Sequence, residues 1–268
     1  MNITVYLGSR CGNRSCYADY AYALGAWIAR HGHTLVYGGS RTGLMGKLAD
    51  GALQAGGQVI GVEPQFFMDE ELQHEGLTKL IVTPDMTSRK QQMMDLGDIF
   101  LAFPGGIGTL EEISQVMSQV KLHQMEGRFA FLDFDGYYQP MKALIQQMSD
   151  EGFVDEDWAD AVPFLPSFAA LTAFVLGRDL PRPGETWRHF KNHMYRILDL
   201  ADDAETGETY VVYKTLYGEY RDFIRPLDMF LSEVDHDKYP DVRQKWRFEK
   251  MAGLCSWNPA ISSQYLKK

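Results

Sequence analysis

Six short apolar runs, each followed by a stretch of helical periodicity, fill the first 178 residues and leave little choice of architecture. The runs are NITVYLGS (2–9), HTLVYGG (33–39), QVIGVE (58–63), KLIVT (79–83), IFLAF (99–103) and FAFLDF (129–134). They are almost continuously apolar, as strands are when helices cover both faces of a parallel sheet. Between them, Tyr17, Tyr20, Ala21, Leu24 and Ile28 recur at helical spacing, as do Leu110, Ile113, Met117 and Val120. Residues 44–53, 86–96 and 137–148 read the same way. Strand and helix in strict alternation predict an α/β fold, a Rossmann-like doubly wound parallel sheet. VPFLP followed by FAALTAFVL (162–176) is expected to close this unit, which is assigned residues 1–178.

After DLPRPGE (179–185), read as a linker for its prolines and glycine, the pattern changes. Segments 193–201, 209–217 and 223–231 are strand-like and separated by turns, so residues 186–250 are expected to form a small C-terminal β domain, with 251–268 as a tail. The charge divides in the same place. Residues 1–179 hold 12 Lys+Arg against 22 Asp+Glu, and 14 of each follow, so the net charge of −10 lies wholly in the first part. Such a balance disfavours a general nucleic-acid binder. An anionic ligand would need backbone amides and a few placed cations.

The N-terminus lacks the features of a signal peptide, and no apolar run reaches the ~18 residues of a membrane span. Three cysteines (Cys11, Cys16, Cys255) without a zinc-type spacing suit a reducing compartment and argue against a metal. The expectation is a cytoplasmic protein with no membrane partner.

Ligands of open parallel sheets bind at the carboxyl ends of the strands. Three glycine-bearing loops leave such ends: GSRCG (8–12), GGSRTGLMG (38–46) and PGGIGT (104–109). They make Ser9, Gly39, Gly105, Gly106, Gly108 and Thr109 candidate substrate contacts, because consecutive amides at a helix start form a concave anion site. Neither a dinucleotide fingerprint nor a Walker ending is present, so one mononucleotide phosphate fits better than NAD or ATP. Thr109 and Glu112 also satisfy the spacing of a capping box, in which the glutamate would serve its own helix. Placed one turn beyond a phosphate, the same carboxylate could instead stabilise positive charge at a ribose anomeric carbon, or direct water to it. Arg89 and Lys90 open a helix on the same sheet edge, where arginine's planar fork suits a phosphate or a purine edge. Both cations, and Glu71 on the acidic segment 69–72, also admit the plainer reading of solvated surface charge.

In this order and at these distances, VYGGSRTGLMG, DMTSRK and PGGIGTLEE resemble the Lonely Guy (LOG) family, from about residue 2 to 155. The resemblance implies a phosphoribohydrolase acting on cytokinin nucleoside monophosphates or AMP, long misannotated as a lysine decarboxylase. It implies Arg89 and Glu112 as the catalytic pair. Gly105, Gly106, Gly108 and Thr109 would hold the phosphate, and Lys90 and Glu71 would lie in the substrate site. It further implies a homodimer and no cofactor. Ser118, Gln119 and Val120 replace the Thr-Trp-Ala of plant members, and Gly127-Arg128 replaces a usual Lys-Pro. These departures bear on the base and its N6 substituent rather than on the chemistry. The C-terminal unit is similar to a small bacterial domain of unknown function. A nucleotide carrier that binds without cleaving is the competing class, and such a protein has no need of a carboxylate beside an anionic ligand. WRHFK (187–191) mixes aromatic and basic residues and raises a protein- or RNA-interaction role for the C-terminal domain.

Overall fold

The computed structural model describes residues 1–68 and 73–251, which part into two compact units divided between Ser167 and Phe168. In the first unit the strands β1 (Asn2–Tyr6), β2 (Thr34–Tyr37), β3 (Gln58–Pro64), β4 (Lys79–Thr83), β5 (Ile99–Ala102), β6 (Arg128–Leu132) and β7 (Phe164–Leu165) form one parallel sheet in the order β4-β3-β2-β1-β5-β6-β7. The parallel sheet of the expected fold is thus present, with helices between successive strands. These are α1 (Cys16–Arg30), α2 (Gly43–Gln54), the short α3 (Gln65–Met68), α4 (Met86–Leu96), α5 (Ile107–Lys121), α6 (Gln139–Asp150) and α7 (Glu156–Ala161).

Apolar continuity in the strands does what it should. Val5, Leu35, Val36, Phe100, Leu101 and Phe131 are at most 1% exposed, so both faces of the central strands are covered. Winding reverses between β1, which pairs with β2 on one side, and β5, which pairs with β1 on the other. That reversal opens a crevice at the carboxyl ends of these two strands.

Helices α1 and α2 pack backbone against backbone. A methyl group on Gly25 would lie 1.9 Å from the carbonyl oxygen of Leu48, and one on Gly51 would lie 2.0 Å from that of Tyr22. Gly25→Ala is therefore expected to destabilise the protein. Alanine gains roughly 1 kcal/mol of helix propensity, but overpacking a fixed backbone contact costs about 1–3 kcal/mol or more. A lowered urea midpoint checks this, and an unchanged or raised midpoint would show that the two helices can separate freely.

The second unit consists of α8 (Phe168–Leu176), an antiparallel sheet and α9 (Leu227–Leu231). The sheet contains β8 (Thr186–His189), β9 (Met194–Asp202), β10 (Thr209–Thr215), β11 (Asp222–Pro226) and β12 (Phe248–Lys250), in the order β11-β10-β9-β8-β12. Its core joins Trp187, Ile197, Val211, Tyr213, Phe230 and Phe248, with the Phe230 and Phe248 rings stacked at 4.0 Å.

This unit departs from the sequence reading in four places. Helix α8 belongs here, since Ala169 and Ala173 join the core cluster, although its sequence was expected to close the first unit. The stretch 179–185 is tied into the unit as well, with the Gly184 amide on the Ile197 carbonyl and the Ile197 amide on that of Glu185. The segment read as one strand at 223–231 ends at Pro226, which has no amide to donate. Leu227, Phe230 and Leu231 then recur at i, i+3, i+4 and are buried as a helix. Finally, Trp187 in the aromatic–basic stretch is 1% exposed, so its ring serves the core.

Candidate active site

The three glycine loops meet above the crevice. The Gly8 amide donates to the Pro104 carbonyl at 3.2 Å, which joins the loop after β1 to the loop after β5. A methyl group on Gly105 would lie 2.8 Å from the Gly8 nitrogen and 2.1 Å from Thr109 Oγ1, so only glycine lets these chains approach so closely. Gly43, opening α2, sits on the Ser9 carbonyl, and Ser9 itself is exposed. The Gly39 carbonyl accepts from the His74 amide at 3.0 Å. Tyr137 donates its hydroxyl to the Gly105 carbonyl, and Tyr138 donates to that of Phe103 at 2.8 Å.

Helix α5 starts at Ile107, with Gly106, which has no side chain to offer, as its N-cap. The capping-box reading is therefore overturned. Thr109 is the third residue of the helix, buried at 4% exposure, with its hydroxyl turned toward Gly105. Gly106 and Gly108 are exposed and have open space where a side chain would stand. The first amides of a helix have no partner within it, and among the described residues no side-chain oxygen replaces one. This is an uncapped, accessible anion site carrying the positive end of a helix dipole.

Glu112, released from capping, pairs with Arg89. Arg89 Nη1 donates to Glu112 Oε1 at 2.7 Å, and its Nε donates to the Val62 carbonyl at 2.9 Å. The side chains are 8% and 10% exposed. Asp85 caps α4 by accepting from the Ser88 amide at 2.8 Å, and so fixes the helix start from which Arg89 projects. Arg89 lies over Gly38, where a methyl group would stand 2.3 Å from Nη2. Burial raises the Glu112 carboxyl above its ordinary value, and Arg89 opposes this only in part. Tyr6 at the end of β1 feels the same pair: burial, then the charge of Glu112, raises its hydroxyl.

Lys90 is engaged by Glu111, whose side chain is 60% exposed. Glu71 lies outside the described residues. Glu63, at the end of β3, was not singled out from the sequence, yet it is 1% exposed and faces the same arginine. Its signal was available as a lone charge inside the apolar run QVIGVE. The arrangement as a whole offers amides for one compact anion, with a low-dielectric carboxylate–guanidinium pair on the neighbouring helices.

The family model described as "possible lysine decarboxylase" matches residues 45–173, and that of a protein of unknown function (DUF1653) matches residues 185–250. A cytokinin riboside 5′-monophosphate phosphoribohydrolase of Rhodococcoides fascians is 42% identical over 154 residues, covering 57% of this chain and 78% of that protein. The enzyme of the same name, LOG5, from Arabidopsis thaliana is 38% identical over 152 residues, covering 57% of this chain and 67% of that protein. Among solved structures, the molybdenum cofactor carrier protein of Chlamydomonas reinhardtii superposes with a TM-score of 0.51 at 23% identity, over 65% of this chain and 94% of that one. That likeness concerns the fold alone.

Proposed function

Since this chain belongs to the Lonely Guy (LOG) family, we propose that it hydrolyses the N-glycosidic bond of a nucleoside 5′-monophosphate to the free base and ribose 5-phosphate. The supporting observation is the Glu112–Arg89 pair, buried beside an uncapped glycine helix start. The amides of Gly106, Ile107 and Gly108 hold the 5′-phosphate, with Gly105 and Thr109 shaping the turn beneath it. Ser9 and Gly39 line the substrate from the adjoining loops, and Lys90 belongs to the rim of the same site.

Cleavage develops positive charge on the ribose ring. Glu112 stabilises it and directs the attacking water, in surroundings where a carboxylate acts more strongly than it would in solvent. Arg89 holds that carboxylate in place and assists the departing base. The reaction is assigned to the first unit.

A panel of substrates tests the proposal. AMP and N6-substituted AMP are expected to release free base. Adenosine should show a kcat/KM lower by at least about 10²-fold, because it lacks the group whose binding orients the sugar. ATP should also be poor, since the turn accommodates one phosphate. Equal turnover of adenosine would remove the helix start from the mechanism.

A further inference from the structure

Glu63 presents a buried acid that the reaction as described leaves without a role. It is 1% exposed, and among the described residues its Oε2 has no hydrogen-bond partner. A bare carboxylate in that condition is unfavourable unless it is neutralised or paired. The residue lies against Gly39 of the loop after β2, where a methyl group would come within 3.2 Å of Oε2. Several titratable or charged groups face it. Tyr37 at the end of β2 feels its charge, and feels that of Asp50 on α2 as well. Arg89 faces it from α4, and beyond Arg89 stand Glu112 on α5 and Tyr6 on β1.

Arg89 bonds only one of the two acids. Its Nε is held by the Val62 carbonyl and its Nη1 by Glu112, while among the described residues its Nη2 has no acceptor. Arg89 Nη2 lies over Gly38 and Glu63 Oε2 lies against the adjacent Gly39, so one guanidinium stands near two buried carboxyl groups and bonds one of them. We propose that Glu63 is a positioning residue for the glycosidic reaction: as the neutral acid it leaves Arg89 on Glu112, and on ionising it draws Arg89 toward β3 and disturbs that pair. The inference rests on the hydrolase reading of the same site. Burial raises the Glu63 carboxyl and Arg89 opposes the rise.

The test measures kcat for base release from AMP against pH in the wild type and in Glu63→Gln, a neutral side chain of nearly the same shape. Beside it, the infrared carbonyl band of protonated carboxyl groups is compared between the two ligand-free proteins. In the wild type, kcat should fall on the alkaline side, by about tenfold per pH unit beyond the controlling pKa. Glu63→Gln should lose that limb while keeping the wild-type plateau and the acid limb set by Glu112, and part of the infrared band should disappear. An alkaline limb that persists in Glu63→Gln overturns the proposal. So does a folded but inactive Glu63→Gln, or a flat alkaline profile in both proteins. The wild-type profile and band remain decisive if the variant does not fold, because a wild type lacking either one also overturns it. Failure of the wild type to release base from any nucleotide counts against the hydrolase reading, whereas an absent band counts against Glu63 alone.

Discussion

Glu112→Gln is expected to lower kcat for base release by on the order of 10²-fold or more, the scale of a single lost electrostatic contact in an active site. Nucleotide should still bind, because the proposed phosphate site consists of backbone amides of the α5 start and the substitution does not reach them. Glutamine preserves shape and can still accept from Arg89 through its carbonyl oxygen. What disappears is the negative charge that meets the oxocarbenium-like ribose. Stability should fall as well, by about 1–3 kcal/mol, since the buried guanidinium keeps its charge but donates to a neutral amide instead of a carboxylate. A role in helix capping would have predicted a silent substitution, and Gly106 occupies the cap instead. Single-turnover base release beside calorimetric binding separates the effects. Wild-type turnover with glutamine at this position would overturn the electrostatic role.

Arg89→Ala should be more damaging, because it removes the one cation that faces both buried acids among the described residues. Activity is expected to fall by at least about 10²-fold in kcat/KM. Removing one partner of a buried pair costs about 3–5 kcal/mol at neutral pH. That deficit should depend on pH in a defined direction. Burial already raises the Glu112 and Glu63 carboxyls, and without Arg89 both rise further. A folded state that binds protons more readily than the unfolded chain loses stability as pH rises above the unfolded carboxylate value. The deficit relative to wild type should therefore be smallest in mild acid and widen toward neutral pH. Urea unfolding of both proteins at mildly acidic and neutral pH reads it, and a deficit that shrinks as pH rises would contradict the placement of these acids.

Much of the first unit was legible because its signals are local. A run such as IFLAF has apolar side chains on both faces, so only a strand covered from both sides can hold it, and β5 is buried throughout. Helix α4 announced itself through the helical pattern of residues 86–96, which acts between neighbouring turns. Arg89 and Glu112 could be suspected from their places at successive helix starts. In a parallel sheet every such start lies at the same edge, and residues 23 apart in sequence come within 2.7 Å.

The second unit was less legible because its sheet depends on distant pairing. Strand β8 is completed by β12, with Trp187 opposite Lys250, and nothing near either segment marks the partner. The helical spacing of Leu227, Phe230 and Leu231 was hidden in a run short enough to pass for a strand.

The residues themselves therefore determined the parallel α/β architecture and the glycine-lined edge where an anion can bind, because hydrophobic period and turn chemistry act over a few neighbouring positions. Tertiary structure alone decided what the acids do. Glu112 left the cap position for a buried arginine, and Glu63 came to lie near that same arginine with one oxygen unpaired among the described residues. Charge and burial are set by whatever the fold brings within a few ångströms, and the spacing of residues along a chain carries no measure of that distance.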